Sequence, residues 1–141
     1  MEKICSACAT DPHTHSFKKV ADKQGVVLFF SQPAKAKRFN DHEGFIQHVD
    51  RALAAIGSRK WSCVLDGDGF DLSHAKEVGI GRALFELFLK KYAATLQNIH
   101  VINPTWHLDG ILALAKATMA PEMFSKIQVM DDRKRSVMEF F

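Results

Sequence analysis

The sequence predicts an α/β domain in which a mainly parallel β-sheet is flanked by helices, and three observations carry that prediction. The runs Trp61-Ser-Cys-Val-Leu-Asp66 and Ile99-His-Val-Ile-Asn103 are too brief for helices, and each ends on turn-forming residues. They lie about 35 residues apart, which is the separation of a strand, a crossover helix and a parallel strand. Lys126-Ile-Gln-Val129 then adds a further strand beyond a second helical stretch.

Residues 1–24 are polar and turn-rich around Asp11-Pro12, with no periodicity, and read as a lead-in to a single domain over residues 25–141. Val26-Val-Leu-Phe-Phe30, preceded by a turn at Gly25 and closed by Pro33, reads as the first buried strand. Lys35 to Asn40 forms an exposed basic connection. Asn40 with Glu43 offers a capping box, and Phe45, Val49, Ala52, Leu53 and Ile56 recur at helical spacing until Gly57 stops the chain. After the second strand, Asp66-Gly-Asp-Gly69 turns the chain and Ser73 is placed to cap the next helix. From His74 to about Leu96, Val78, Ala83, Leu84, Phe85, Leu87, Phe88, Leu89 and Tyr92 cover most of a helix circumference. Only Arg82, Glu86 and Lys90 interrupt them, in a stripe spaced for ion pairs. A helix this apolar needs cover on two sides, from the sheet and from another helix, a ligand or a partner. Beyond the third strand and Pro104, Leu108, Ile111, Leu112, Ala115 and Met119 form another apolar face, opposite Asp109 and Lys116, up to Pro121. Ile127-Gln-Val-Met130 is the fourth strand, and the charged stretch from Arg133 ends in Val-Met-Glu-Phe-Phe. Strand and helix alternate throughout, which implies right-handed crossovers.

With 141 residues, 47% of them hydrophobic and 25% charged, one domain has enough material for a core without disulfides or a structural metal. No apolar run approaches the roughly 20 residues that span a bilayer, and the N-terminus lacks the layout of a secretory signal. Three cysteines, an odd number, suit a reducing compartment, so the expected location is the cytosol, with peripheral membrane contact allowed. A net charge of +3, with most cations interspersed among acids, is too mild to argue for nucleic acid.

Tyr92, Leu96, Asn103 with Pro104, Trp106, and the dipeptide Lys126-Ile127 stand in an order and at separations that carry a family likeness. Over about residues 26–130 the chain resembles the CRAL-TRIO domain, the fold of cytosolic phosphatidylinositol-transfer and retinaldehyde- or tocopherol-binding proteins. In that family the middle helix leads to a Tyr-Pro-Glu-x-Leu stretch, the next strand ends in Asn-x-Pro, an aromatic opens the following helix, and Lys-Ile precedes the last strand. This sequence departs from the pattern in four ways. Ala93-Ala94 replace Pro-Glu, Asn103 is followed directly by Pro104, the preceding helical subdomain is missing, and the chain stops before the family's final Leu-Pro-x-x-x-Gly-Gly region, which helps to close the lipid cavity. The resemblance implies a minimal, non-catalytic CRAL-TRIO-like domain that binds a hydrophobic small molecule or phospholipid. The competing implication is docking to a membrane surface or to a protein partner such as a small GTPase regulator. Ligand binding needs an apolar cavity, since each buried methylene contributes about 0.8 kcal/mol. Phe85, Phe88, Leu89, Tyr92, Trp106, Leu108, Ile111 and Leu112 are the expected lining. Recovery of no lipid, with no pocket above a few hundred cubic ångströms, would favour docking. Lys35, Lys37 and Arg38, with Arg133, Lys134 and Arg135, are cations available to anionic headgroups.

Three other motifs offer chemistry that competes with plain turn and surface roles. Cys5-x-x-Cys8 with His13-x-His15 gathers four zinc-ligand types within 11 residues, but the loop between the pairs is short for a finger, so no metal is expected. Asp66-Gly-Asp68 at a strand end resembles the Asp-x-Asp motif of haloacid-dehalogenase magnesium phosphatases; Asp and Gly are also the commonest turn formers. The strand, Asp-rich turn and helix also resemble a STAS regulatory domain, with Ser73 at the phosphorylated position. Cys63 lies inside a strand, and Gly79-Ile-Gly81-Arg82 falls within a helical run instead of before one, so neither a nucleophile nor a phosphate loop is expected. No cofactor and no catalytic residue are assigned.

Overall fold

A computed structural model describes residues 16–36 and 41–140, and within them every side chain except those of His42, Val78, Phe85, Leu89 and Lys90. The apolar run beginning at Val26 forms β2 (Val26–Ser31), which is hairpinned to β1 (Lys18–Lys23). The strands β3 (Lys60–Asp66), β4 (Leu96–Ile102) and β5 (Ile127–Met130) complete one sheet in the order β1-β2-β3-β4-β5. β1 is antiparallel to its neighbour and the other pairs are parallel. Helix α1 (His42–Ala55) joins β2 to β3; α2 (Leu72–Ala75) and α3 (Val78–Leu87), prolonged by a π turn at Phe88–Tyr92, join β3 to β4. Helices α4 (Trp106–Thr118) and α5 (Pro121–Phe124) join β4 to β5.

Parallel strands laid down in chain order, each linked by a right-handed crossover, place their helices on one face of the sheet. The core divides accordingly. Val27, Phe29, Trp61, Cys63, Ile99 and Val101 meet the helices in the large cluster. Leu28, Val64 and Ile102 point the other way, into a small cluster with Phe30, Met130, Val137 and Phe140. That second face is covered by the 3₁₀ turn Val137–Phe140, with the Phe140 ring 4.8 Å from that of His100. Burial there lowers the His100 pKa below its ordinary value.

Three elements differ from their sequence reading. Residues 18–23, read as lead-in, form β1: Gln24 and Gly25 both have positive φ (55° and 79°), as in a two-residue hairpin turn, but Gln at the first position gives no turn signal. The lysines that hide this strand from a periodicity search are also what keep an edge strand from pairing further. The long helix expected from His74 is divided at Lys76 and Glu77, where the Glu77 N–H donates to the His74 carbonyl and the Ile80 N–H to the Glu77 carbonyl, both at 3.0 Å, in tighter turns; Asp71, not Ser73, caps α2. The Asp71 carboxylate accepts from the Ser73 N–H at 2.9 Å while His74 Nδ1 accepts from the Asp71 N–H at 3.1 Å. At α1 the cap is Asp41, accepting from the Gly44 N–H at 3.3 Å, and the expected Asn40 lies outside the described residues.

Asn103 fastens the C-terminal ends of the strands. It sits at φ 49°, a left-handed conformation that Asn tolerates better than most residues. Its Nδ2 donates to Asp66 Oδ1 at 3.0 Å and to the Arg135 carbonyl at 2.8 Å, and its Oδ1 accepts from the Arg135 N–H at 2.7 Å. One amide thus ties β3, β4 and the tail that covers the second face. Urea unfolding should show Asn103→Ala destabilised by about 2–3 kcal/mol, from lost partners and a left-handed Ala. Asn103→Gly, which keeps the backbone unstrained, should lose less; equal losses would assign the whole effect to the side chain.

Candidate ligand cavity

Alternation along the strands puts Cys63 and Leu65 of β3, Ile99 and Val101 of β4, and Ile127 of β5 on the helix-covered face, where they form the floor of a cavity of about 110 Å³. Its roof is built from α3 (Ile80, Gly81, Leu84), the π turn (Phe88) and α4 (Leu108, Ile111, Leu112), while Phe17, Phe45 and Phe70 close the sides. The helices approach closely here: a Cβ on Gly81 would lie 3.9 Å from Ile111 Cγ2. Gly67 has no such room, since a Cβ there would come within 2.7 Å of Leu108 Cδ2 and 2.9 Å of the Asn103 carbonyl oxygen. The lining is almost wholly apolar; the polar exceptions are Ser31, His74 and Glu77.

The π turn shapes one wall. Such turns insert an extra residue per turn and recur at functional sites. Here the turn sets Phe88 against Trp61, with ring centroids 5.3 Å apart, and delivers Tyr92 to α1. The Tyr92 hydroxyl donates to the Asp50 carbonyl at 3.1 Å and to the Asp50 carboxylate, which Lys91 Nζ also reaches at 2.9 Å. Burial raises the Asp50 carboxyl, yet hydrogen bonds from Tyr92 and Lys91 outweigh it and hold the group below its ordinary value. Burial, and then the bond to Asp50, pushes the Tyr92 hydroxyl up.

Of the residues expected to line a pocket, Phe88, Leu108, Ile111 and Leu112 do so. Tyr92 is buried but directs its hydroxyl to α1. Trp106 is 77% exposed, its ring stacked on His107 at 3.7 Å, and is not among the lining residues. The side chains of Phe85 and Leu89 lie outside the description. The sequence reading missed Ser31, Phe17, Phe45 and the floor residues; the floor and Ser31 follow from period-two alternation, whereas nothing in the sequence flags Phe17.

The other motif residues hold the frame. Lys126 Nζ donates to the carbonyls of Ala93 and Leu96, both at 2.9 Å, joining the end of the π turn to the start of β4. Asp66 Oδ1 accepts from the Asp68 N–H at 2.9 Å as well as from Asn103, and Ser73 Oγ donates to Asp71 Oδ1 at 2.6 Å. Among the described residues no three His, Cys, Asp or Glu side chains are grouped to hold a metal; Cys5, Cys8, His13 and His15 lie outside them. No helix among the described residues is long and apolar enough to cross a membrane.

Cys63 is buried on the floor, and burial pushes its thiol up from 9.0 to about 12. The unfolded thiol ionises near its ordinary value while the folded one stays protonated. Its contribution to stability is therefore complete below pH 9.0 and is lost as the pH rises toward about 12. Unfolding free energies should fall between pH 9.0 and about 12, by up to about 1.4 kcal/mol per pH unit per group, and Cys63→Ala should flatten the fall.

The model of the CRAL/TRIO domain matches residues 15–141. Among solved structures, the crystal structure of Sfh5 matches with a TM-score of 0.67 at 12% sequence identity, over 91% of this chain and 51% of Sfh5. At that identity the likeness is one of fold, and the chain spans about half the length of that relative. No curated protein sequence matches. The α/β sheet in strict chain order, the Asn103 and Lys126 ties at its two ends, and the family match over nearly the whole chain lead to one conclusion: this chain belongs to the CRAL/TRIO domain family.

Proposed function

We propose that this domain binds a hydrophobic ligand, without catalysis, in the cavity beneath α3 and α4. CRAL-TRIO domains bind hydrophobic ligands such as lipids. The observation that carries the proposal for this chain is an apolar cavity of about 110 Å³ lined by α3, α4 and the sheet. At about 24 cal/mol per Å³, leaving such a volume unfilled costs on the order of 2–3 kcal/mol, which favours an apolar occupant. The volume is below the ~150 Å³ of a cavity that takes benzene. A longer ligand therefore requires a wall to move, and α4 is the wall with the least to lose: its outer face carries Trp106, Ala113, Leu114 and Ala117, all exposed.

Two further observations support a non-catalytic reading. The Asp66 carboxylate serves the Asp68 and Asn103 amides, as a turn and a tie would require, and Ser73 is bonded to the capping Asp71. The free, buried thiol of Cys63 suits a reducing, cytosolic setting. The same cavity volume supports a second reading, docking to a membrane surface or a protein such as a small GTPase regulator, through exposed Trp106, Leu72 (60%) and Leu114 (59%). An anionic surface gains little support, because Arg133 reaches Glu139, Arg135 reaches Asp132 and Lys134 lies 3.9 Å from Asp68.

The neutral fluorophore N-phenyl-1-naphthylamine tests the first reading. It should bind stoichiometrically with enhanced emission, and Ile111→Trp, which fills the cavity, should weaken it at least tenfold while leaving thermal unfolding cooperative. Absence of binding, with no ligand recovered by native mass spectrometry, would transfer the function to docking.

A further inference from the structure

The chain reaches the tail that covers the helix-free face through Asp131-Asp-Arg-Lys-Arg-Ser136, a stretch in no helix or strand. Ser136 is exposed, and three cations precede it. The side chains of Arg133 and Lys134 are 58% and 81% exposed, Arg135 is mostly buried, and the half-buried Val137 follows. Exposed cations three and two residues before a serine hydroxyl, on irregular backbone, form a charge pattern that a kinase with an acidic substrate groove selects. The same hydroxyl stands at the entry to the 3₁₀ turn Val137–Phe140. Ser136 Oγ accepts from the Met138 N–H at 3.3 Å, and the Ser136 N–H donates to Glu139 Oε2 at 2.9 Å. Glu139 is the polar anchor of the turn: its Oε1 accepts from Arg133 Nη2 at 2.5 Å and lies 3.7 Å from Arg135 Nη1. The Ser136 amide, and then Arg133, hold its carboxyl below the ordinary range. The Arg135 backbone is in turn fixed to the strand ends by Asn103.

We propose that Ser136 is the phosphoacceptor of a serine kinase that reads basic residues, and that its phosphate releases the Val137–Phe140 turn from the helix-free face of the sheet. In the transfer, Ser136 Oγ attacks the γ-phosphorus of ATP. The Oγ–P bond forms, the bond from that phosphorus to the ADP oxygen breaks, and the hydroxyl proton passes to the base of the kinase. The phosphoserine carries about −1.5 to −2 charges at pH 7. It stands beside the Glu139 carboxylate, which it repels, and it competes with that carboxylate for Arg133 and Arg135. Charge-assisted hydrogen bonds favour the more highly charged acceptor. The partner of the two arginines thereby moves from Glu139, inside the turn, to residue 136, before it. Val137 and Phe140 then keep only their apolar contacts with the small cluster and with His100. The release does not depend on what fills the cavity, which lies across the sheet from this turn.

The test incubates the full chain with the catalytic subunit of cAMP-dependent protein kinase and magnesium ATP. Phosphate should enter stoichiometrically and be placed at Ser136 by tandem mass spectrometry. Ser136→Ala should abolish the labelling, and Arg133→Gln should slow it about tenfold or more. Carbon-13 methyl and imidazole spectra of the phosphorylated chain read the second step. The Ile102 methyl should shift, and His100, which burial holds below its ordinary pKa, should titrate closer to that value as Phe140 leaves its ring. The methyls of Ile99 and Ile111, on the cavity side, should stay in place. A native chain left unlabelled in a reaction that labels the standard peptide of the kinase, or labelled elsewhere than at Ser136, overturns the site. Label at Ser136 with Ile102 and His100 unmoved overturns the release.

Discussion

Four parallel strands added to the sheet in the order in which they occur in the chain leave a right-handed crossover no choice of side, and this constraint organises the molecule. α1, α3 and α4 are stacked on one face, where their apolar surfaces meet the sheet and one another and leave a cavity between. The opposite face receives no crossover helix. Leu28, Val64 and Ile102 are nevertheless buried, because residues 137–140 lie across them and the Phe140 ring packs at a tilt against His100. The asymmetry leaves a cavity on the helical side and closure by a short tail on the other.

The motif residues that mark the family act in this chain as polar ties at the ends of the sheet. Asn103 links β3, β4 and the tail; Lys126 satisfies two carbonyls where the π turn gives way to β4; Tyr92 fixes that turn to α1 through Asp50. Each such bond contributes about 0.5–1.5 kcal/mol net, and leaving its buried partner unmet costs more. They fix the walls around the cavity, whose own apolar contacts have no direction to enforce. Ser31, His74 and Glu77 are the exceptions within it, directional groups in a lining that is otherwise indifferent.

The central parallel strands were legible because burial on both faces makes them continuous apolar runs, as at Trp61 to Asp66; the edge strand Ile127 to Met130, with Gln128 and Val129 exposed, also stands where the sequence reading placed it. β1 was not, since an edge strand of Lys18-Lys-Val-Ala-Asp-Lys23 has little to bury and its turn lacks Asn or Asp. The buried positions Leu108, Leu112 and Ala115 of α4, with Met119 at its C-cap, follow the helical repeat, and the sequence reading found that face. Trp106 is two residues from Leu108, nearly opposite on the helix, so the phase that buries one exposes the other. Tyr92 lies four residues beyond Phe88, but the π turn alters the helical phase and carries it to α1. Ser31 continues the alternation of Val27 and Phe29; reading the run as ending at Phe30 hid it.

The isoleucines allow the central claim to be read directly. Ile80, Ile99, Ile111 and Ile127 line the cavity, whereas Ile102 lies on the opposite face of the same sheet. Carbon-13 methyl spectra of the isoleucine-labelled chain, titrated with N-phenyl-1-naphthylamine, should shift the four cavity methyls by ring currents and leave Ile102 in place. Shifts confined to Ile102, or a spectrum unchanged at saturating fluorophore, would contradict a ligand site beneath α3 and α4.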